Sequence, residues 1–443
     1  MKKILILSHD KVGESMAGPG IRYHYIALEL ARHHEVTLGV YNPDNISGQI
    51  TGLPYRSIHV DVHDFKSTFD EHDVIFALWM TDEMMEYARA NGKVMVFDLY
   101  VPGPVESLIF KIYSNAPVAS RDDTVFRDSV RNYQKFFQYG DFFVCSNERQ
   151  LDFWYGYIFG SDLITPSGYS LDPIDKRIAL APMGISNIPV PERTPVLRQI
   201  EGIGAEDTVF VWTGGIWDWF DASSVIEAMA LLKSEASIKL VFLGTKHPNK
   251  DVPEMSETAR ARRLSDELSL TGKSVFFLDG WIKYEERLRY LADADAAIYA
   301  HKSTLEARFS HRTRVLDHIL MKLPTIATRG DYFADLVERE ELGIAVPMGD
   351  APEMARAMKA LEDPVLRSRF RDNLARIQPK YYWETVLSPL VEFVEQASPK
   401  PALLVASSKS VLSSLSSQAH RLARRLPKPI KQAFKSVAAK IYR

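Results

Sequence analysis

The chain has 443 residues, too many for one ordinary domain, and 46% hydrophobic with 25% charged residues is typical of globular proteins with a hydrophobic core. Its single cysteine, Cys145, excludes an intramolecular disulfide and predicts a reducing, cytoplasmic location. The first apolar run, residues 4–7, is shorter than the ~7–15 residues of the hydrophobic region of a signal peptide. No run reaches the ~20 apolar residues of a membrane span.

Short apolar runs alternate with helical patterns along the first half of the chain. Residues 21–32 show the clearest helical period. Such alternation predicts a parallel sheet with helices on both faces, since each pair of parallel strands needs a crossover helix. The predicted strands are 3–8, 35–40, 58–62, 74–78, 94–98, 142–145 and 178–181.

The second half repeats this alternation after a linker with three prolines, residues 185–202. Residues 223–233 form its clearest helical pattern. The fold class predicted is therefore α/β, with two Rossmann-like, doubly wound parallel-sheet domains. The predicted strands are 208–213, 239–244, 275–278, 296–300, 325–328 and 344–346.

The end of the chain differs in composition from the rest. An amphipathic helix at 381–398 leads into a Ser-rich joint, and residues 399–443 carry ten lysines and arginines and no acidic residue. Since the net charge of the whole chain is −3, the rest of the chain is acidic. A basic amphipathic tail predicts peripheral docking on an anionic membrane surface, and a solvated disordered tail is the alternative. Nucleic acid is not a predicted partner, because aromatic residues are sparse among the basic ones.

Parallel sheets bind ligands beyond the carboxyl ends of their strands. After the first strand, Gly18 and Gly20 precede a helix whose N-terminus favours an anion, although a flexible Pro–Gly turn has the same composition. Their spacing does not match the dinucleotide motif G-x-G-x-x-G. After the first strand of the second half come Gly214, Gly215 and Asp218, which we predict to contact the ligand. A helix cap is the alternative for the nearby aspartate, Asp221.

The stretch FSHRTRVLDHILMKLPTIAT, residues 309–328, places cations at the start of an apolar helix, where the helix dipole disfavours them. A phosphorylated ligand would account for Arg312 and Arg314, because guanidinium groups bind phosphate in a bidentate manner. Thr313 and Ser310 complete this turn, and Asp317 is placed to accept hydrogen bonds from ribose hydroxyls. The alternative is a surface ion pair of Glu306 with one of the arginines.

These features resemble the GT-B glycosyltransferases, and most closely the retaining enzymes of family 4. In that family the same frame reads E-G-F-G-x-x-x-L-E-A-x-A-x-G-x-P-V-I-A-T. The segments GGIWDWFD, SNERQLDFWYG, EARFSHRTRVLD and FDLYVPGPVE are similar to a bacterial subgroup associated with surface polysaccharide assembly. The resemblance covers most of residues 1–398.

The resemblance implies two domains that face a central cleft. Residues 1–186 would bind the acceptor, a glycan or a polyprenyl-linked saccharide. Residues 187–380 would bind a nucleotide sugar, and the helix at 381–398 would pack back on the first domain. The tail at 399–443 lies outside the resemblance.

The resemblance also implies roles for single residues. Asp317 stands where the family motif has its second glutamate. Phe309 stands where the motif has its first glutamate, and Glu306 would supply that carboxylate instead. Arg312 and Arg314 would replace the family's arginine and lysine as diphosphate ligands.

Further implied roles concern the two faces of the cleft. Trp281 and Tyr284 would contact the base, and Gly18 and Gly20 would approach the diphosphate. Asp98 would orient the acceptor hydroxyl or the donor sugar, with Glu106 as a lesser candidate. For Asp98 a helix cap or a hydrogen bond to a loop is the alternative.

The chemistry implied is a retaining, front-face transfer in which the leaving phosphate takes the acceptor proton. We expect no cofactor and no metal, because no D-x-D sequence follows a strand and the histidines are scattered. Three other classes stay open: a nucleotide-sugar 2-epimerase, a pyridoxal-phosphate phosphorylase and a non-catalytic scaffold of a polysaccharide complex.

Overall fold

Two parallel β-sheets organise the chain in a computed structural model that describes residues 1–13, 16–47, 52–113, 123–245, 255–280, 282 and 286–398. The first sheet has seven strands in the order β5-β3-β1-β6-β7-β8-β9, and the small β2–β4 pair lies apart from it. Its inner strands are almost wholly buried, as expected where helices cover both faces. The strands are β1 (Lys3–Ser8), β2 (Val12–Gly13), β3 (Glu35–Val40), β4 (Ile46–Ser47), β5 (Arg56–His59), β6 (Val74–Ala77), β7 (Val94–Asp98), β8 (Phe142–Cys145) and β9 (Ile178–Leu180).

The second sheet has six parallel strands in the order β12-β11-β10-β13-β14-β15. They are β10 (Thr208–Trp212), β11 (Ile238–Leu243), β12 (Val275–Leu278), β13 (Ala296–Tyr299), β14 (Thr325–Thr328) and β15 (Gly343–Val346). The predicted fold class of two Rossmann-like domains is thus confirmed.

Helices connect the strands in both domains. In the first they are α1 (Gly18–Ala31), α2 (Lys66–Asp70), α3 (Asp82–Ala90), α4 (Gly103–Tyr113), α5 (Asp123–Tyr139), α6 (Glu148–Gly160) and α7 (Pro166–Leu171). Next come α8 (Ala222–Leu231), α9 (Ser256–Glu267), α10 (Arg287–Asp293), α11 (Leu305–Phe309), α12 (Arg314–Met321), α13 (Tyr332–Arg339), α14 (Ala351–Ala360), α15 (Pro364–Ile377), α16 (Trp383–Val386) and α17 (Ser388–Gln396). No helix in the described part of the chain combines the length and apolarity needed to cross a membrane.

The strand order changes direction beside the first strand of each sheet. Strand β1 lies between β3 and β6, and β10 lies between β11 and β13. Connections leave such strands towards opposite faces, which opens a crevice at their carboxyl ends. Ligand sites are therefore expected after β1 and β6 in one sheet and after β10 and β13 in the other.

The last two helices return to the first domain. Phe393 stacks on Phe142 of β8 with ring centroids 4.1 Å apart, and Trp383 stacks on Tyr25 of α1 at 4.8 Å. The Lys2 ammonium donates to the carbonyl oxygen of Glu395 at 3.0 Å. The first domain is thus built from both ends of the described chain, within one compact unit that spans Met1–Ala397.

Two aspartates beside β13 hold the linker in place. Arg198 pairs with Asp293 at 2.8 Å and with Asp295 at 2.7 Å. One carboxylate oxygen of Asp293 also accepts backbone N–H groups of residues 196, 197 and 198. This D-x-D sequence is occupied by arginine and backbone donors, so its role is structural.

Candidate functional site

The carboxyl ends of the two sheets face each other, and the start of α6 joins them. Arg149 donates to the carbonyl oxygens of Gly330 at 2.8 Å and Arg308 at 3.2 Å, and it pairs with Asp335. The side-chain amide of Gln150 donates to the carbonyl oxygen of Phe309 at 2.9 Å. These contacts bring the start of α6, after β8, against the segments after β13 and β14, where the sequence placed several of its candidate residues.

Arg314 is a guanidinium group without a carboxylate partner in the described structure. Its Nη2 donates to the carbonyl oxygen of Gly215 at 2.9 Å, and its Nη1 is buried with no hydrogen-bond partner among the described residues. The guanidinium carbon lies 4.1 Å from the ring centroid of Phe220. Burial and the positive charge of Arg312 lower the pKa of Arg314 to about 9, which still leaves it charged at neutral pH. A buried cation in this position is poised to bind an anion.

Arg312, unlike Arg314, already pairs with carboxylates of the protein. Its two terminal nitrogens each lie 2.8 Å from an oxygen of Glu306, and its Nε lies 3.5 Å from Asp331. The side chains of Arg312 and Glu306 are less than a tenth exposed. The Glu306–Arg312 pair considered as an alternative is therefore present, but it is buried and does not lie on the surface. Phosphate binding by Arg312 and a catalytic role of Glu306 stay predictions.

The glycine pair after β10 shapes the site of Arg314. Gly214 has a φ of +74°, a conformation that residues with a side chain rarely adopt. The turn that results directs the carbonyl oxygen of Gly215 to Arg314. Gly215 therefore lies beside the guanidinium of Arg314, and diphosphate binding by the two glycines stays a prediction.

Around the start of α12 the other predicted residues have protein partners or lie at the surface. Asp317 accepts from Arg287 at 3.0 and 2.8 Å, so a ribose would have to share or displace this arginine. Ser310 is buried directly after the last residue of α11, and its hydroxyl donates to the carbonyl oxygen of Ala307 within that helix. Thr313 is exposed at the helix start and makes no capping hydrogen bond.

The aspartates after β10 begin helices. Asp221 accepts from the backbone N–H of Ser224 at 3.1 Å, so it caps α8, as the alternative interpretation of this residue proposed. Asp218 accepts from the backbone N–H of Glu257 at 2.8 Å and from the Ser256 hydroxyl at 2.9 Å. It therefore fixes the start of α9, and its predicted contact with ligand stays untested.

Asp98 is completely buried at the end of β7. Both of its oxygens accept from Arg22 of α1, at 2.7 and 2.8 Å, and Arg22 also donates to the carbonyl oxygen of Ala181. The Nη1 of Arg22 has no partner among the described residues. The structure thus gives Asp98 an ion-pair partner 76 residues earlier in the chain, neither a helix cap nor a loop. Orientation of the acceptor by Asp98 stays a prediction.

The glycines at the start of α1 differ in their surroundings. A Cβ atom on Gly20 would lie 1.9 Å from the carbonyl oxygen of Lys11, whereas one on Gly18 would meet nothing within 4 Å. We expect Gly20→Ala to lower the free energy of unfolding by about 1–3 kcal/mol, because the loop after β1 has to move. Gly18→Ala is the matched control and should change it by less than about 1 kcal/mol. Urea denaturation of both variants measures the difference, and equal stabilities would contradict the close approach at Gly20.

Glu106 lies in the first turn of α4, and α4 packs against α11 of the other domain. Its carboxylate is half-buried and makes no hydrogen bond or ion pair in the described part of the chain. Burial and the negative charge of Glu306 raise its pKa to about 7, while Arg312 acts in the opposite direction. A carboxyl group with this pKa at a domain contact is typical of functional sites.

His311 was not among the sequence candidates. Both of its ring nitrogens are buried without partners among the described residues, and its ring packs against Phe333 at 4.6 Å. Burial and the charge of Arg22 lower its pKa to about 3, so it is neutral. Its position between Ser310 and Arg312 gave no sign of burial, because serine and arginine are mostly exposed.

Two predicted base contacts, Trp281 and Tyr284, lie outside the described residues. Within the described ranges no cluster of three histidine, cysteine or acidic side chains could hold a metal ion.

Two Rossmann-like domains, each built on a parallel sheet, define the GT-B class of fold. Residues 207–363, most of the second domain, match the family model described as glycosyl transferases group 1. No curated protein sequence matches the chain.

Solved structures with this fold resemble nearly the whole described chain. HepE from Anabaena, determined with UDP and glucose, has a TM-score of 0.62 and 15% identity, covering 90% of this chain and 100% of HepE. Sucrose-phosphate synthase from Thermosynechococcus elongatus has a TM-score of 0.61 and 17% identity, covering 89% of this chain and 99% of its own. WaaG, a glycosyltransferase involved in lipopolysaccharide biosynthesis, has a TM-score of 0.60 and 15% identity, covering 89% and 100%. The second domain is therefore similar to the group 1 glycosyl transferases, and the solved structures share the GT-B fold with the chain.

Proposed function

We propose that the protein is a glycosyltransferase that moves a sugar from a nucleoside-diphosphate sugar to a glycan or lipid-linked saccharide. The observation that carries the proposal is Arg314, a buried guanidinium whose Nη1 has no partner in the described structure, beside the glycine turn after β10. A diphosphate would supply the missing charge, and charge-assisted hydrogen bonds of this kind are the strong ones. The relatives determined with UDP or UDP-glucose support the choice of donor class.

The finer parts of the proposal rest on the sequence resemblance. Transfer proceeds with retention and without a metal, and it serves bacterial surface-polysaccharide assembly. The acceptor is presented at the cytoplasmic face of the membrane, where the basic tail at 399–443 docks on anionic lipid. The anomeric configuration of the product, read by NMR, and binding to anionic vesicles with and without residues 399–443 test these two parts.

Thermal-shift and calorimetric titrations with UDP-, GDP-, dTDP- and CMP-sugars test the donor site. We expect one nucleotide class to raise the melting temperature of the wild type. In Arg314→Ala the affinity should fall about 10–100-fold, because a charge-assisted hydrogen bond contributes about 1.5–3 kcal/mol. The melting temperature of the free protein should change little, because the loss of packing on Phe220 and of the hydrogen bond to Gly215 is offset by the removal of a buried charge that lacks a carboxylate partner.

Arg376→Ala is the matched control, because Arg376 is half exposed and pairs with Glu340 at the surface. It should leave nucleotide affinity unchanged. No stabilisation by any nucleotide sugar at millimolar concentration would contradict a donor site at Arg314. The scaffold alternative would gain support if a nucleotide sugar bound but released no nucleoside diphosphate.

A further inference from the structure

We propose that Trp79 is the side chain on which a sugar ring of the acceptor stacks, an aromatic subsite of the first domain. This inference rests on the proposed function and deepens it, because it names the residue that recognises the acceptor. A pyranose ring presents an apolar face of C–H groups, and the flat apolar face of an indole ring is complementary to it. The hydroxyls at the rim of the sugar then reach polar groups around the indole.

The placement of Trp79 is the first argument. Strand β6 ends at Ala77 and α3 begins at Asp82, so Trp79 lies in the short loop at the carboxyl end of this strand. Strand β6 pairs with β1, beside which the strand order of the first sheet reverses and a ligand crevice opens. The same edge of the sheet carries Asp98 and leads into α4, which packs against α11 of the second domain. Trp79 therefore lies at the edge that faces the donor-binding domain.

The exposure of a fixed indole ring is the second argument. Trp79 is 41% exposed, although the next residue, Met80, is buried. The carbonyl oxygen of Trp79 accepts from the hydroxyl of Tyr41 at 2.7 Å, and the two rings meet edge to face with centroids 5.7 Å apart. An apolar ring in water gains free energy when a ligand covers it, and a ring held in advance loses little conformational entropy on binding.

Hydrogen bonds between loops fix the support of this ring. Tyr41 follows β3, and its backbone carbonyl oxygen lies 3.3 Å from the Nε2 of His59 at the end of β5. The side-chain amide of Asn45 donates to the carbonyl oxygen of His9 at 3.4 Å, and the β2–β4 pair joins the same two loops. The loops after β1, β3 and β6 and the end of β5 are thus held together, as in a preformed binding surface.

The polar groups around Trp79 form the third argument. In the register of the sheet His9, Tyr41 and Trp79 are level with one another, on the neighbouring strands β1, β3 and β6. His9 and His59 are exposed at this edge, and Asn45 is partly exposed. Imidazole and amide groups both donate and accept hydrogen bonds, as the hydroxyls of a saccharide do. An apolar surface with a few such groups around it binds and orients a small polar ligand.

A membrane contact is the other common use of an exposed tryptophan. The position of Trp79 favours the saccharide, because α4 and α6 lead from the same edge of the sheet to contacts with α11 of the second domain. A flat bilayer does not enter between two domains in contact, whereas a sugar ring does. Stacking orients the acceptor and moves no proton, so this role is compatible with front-face transfer.

Fluorine NMR of the full chain labelled with fluorotryptophan locates the binding. The chain has seven tryptophans, and the resonance that is missing in Trp79→Phe belongs to Trp79. The probes are the methyl glycosides of glucose, galactose, mannose and N-acetylglucosamine, each titrated to millimolar concentration. We expect at least one of them to shift the Trp79 resonance of the wild type.

Three variants test the stacking contact. In Trp79→Ala the affinity for that glycoside should fall about 10–50-fold, because a tryptophan at a binding site supplies much of the binding free energy. Trp79→Phe should keep more of the affinity than Trp79→Ala, since a phenyl ring still stacks. Tyr41→Phe removes the hydroxyl that holds the Trp79 loop and should weaken binding about 2–10-fold. The Kd of the nucleotide sugar should be the same in all three variants.

Phe159→Ala is the matched control. Phe159 is an aromatic residue that is 63% exposed, and it lies near the end of α6. Because α6 begins at the carboxyl edge of the first sheet, this end of the helix lies at the opposite edge. Its replacement should leave the binding of the glycoside and of the nucleotide sugar unchanged.

Three results would overturn the assignment. One is a glycoside affinity of Trp79→Ala within twofold of wild type, and another is a wild type that binds a nucleotide sugar while no glycoside shifts the Trp79 resonance. The third is weaker binding of Trp79→Ala to anionic vesicles with unchanged glycoside binding, which would make the ring a membrane contact.

Failure of the proposed function looks different, because the wild type would then bind none of the nucleotide sugars, whatever the glycosides do. The melting temperature of each variant separates loss of the contact from loss of folding. If Trp79→Ala does not fold, the shift of the Trp79 resonance and the affinity of Tyr41→Phe decide the question.

Discussion

Replacing Asp98 by alanine is expected to lower the free energy of unfolding by about 3–5 kcal/mol. The substitution leaves the Arg22 guanidinium completely buried with only the carbonyl oxygen of Ala181 as an acceptor. A buried charge without its counter-ion loses hydration that nothing replaces. Urea denaturation followed by circular dichroism measures the change.

The double variant Arg22→Met, Asp98→Leu provides the control for this loss. Because it removes both charges together, it should be more stable than Asp98→Ala alone. Asp82→Ala breaks an exposed pair with Lys135 and should cost no more than about 1 kcal/mol. A loss below 1 kcal/mol in Asp98→Ala would show that the Arg22 charge does not depend on this carboxylate.

Replacing Glu106 by glutamine is expected to stabilise the protein above pH 7, by up to about 3 kcal/mol. The pKa of Glu106 is raised to about 7 from the ordinary 4.5, so the folded state binds this proton more tightly than the unfolded state does. The wild type therefore loses stability as pH rises from about 4.5 through 7, and the loss is complete above that range. Glutamine is neutral at every pH in this range, so the variant does not lose this stability.

Melting temperatures of the wild type and Glu106→Gln at pH 5 and pH 8 check this sign. The advantage of the variant should be small at pH 5 and larger at pH 8. Glu148→Gln, which removes an exposed carboxylate in the first turn of α6, is the matched control. An advantage that is equal at both pH values would show that Glu106 ionises in the folded protein as it does in water.

The fold followed from the sequence because buried parallel strands are short apolar runs. Strands such as β1, β7 and β14 begin and end at the residues predicted, since charged or turn residues flank each run. The exposed edge strand β5 was predicted at 58–62, whereas it spans Arg56–His59, so the predicted start was two residues and the predicted end three residues too late. Its burial pattern is mostly exposed, so hydrophobicity carried little information about its ends.

The site was predicted only in part, because partners distant in sequence leave no local signal. Glu306 and Arg312 are six residues apart, and their pairing could be considered in advance. Arg22 and Asp98 are 76 residues apart, and the pairing appears only once β1, β7 and α1 are assembled. The raised pKa of Glu106 comes from burial and from the charge of Glu306 on a helix of the other domain, and neither cause leaves a local signal in the sequence.

The return of α16 and α17 to the first domain determines the order in which the two domains of a nascent chain can be completed. The aromatic rings that cover Tyr25 and Phe142 come from residues 383 and 393, which the ribosome adds after the whole second domain. Domains usually fold as they emerge, the N-terminal one first. Here the second domain is continuous in sequence and can close while the first still exposes two aromatic surfaces. The part of the protein that is synthesised first is therefore the part completed last.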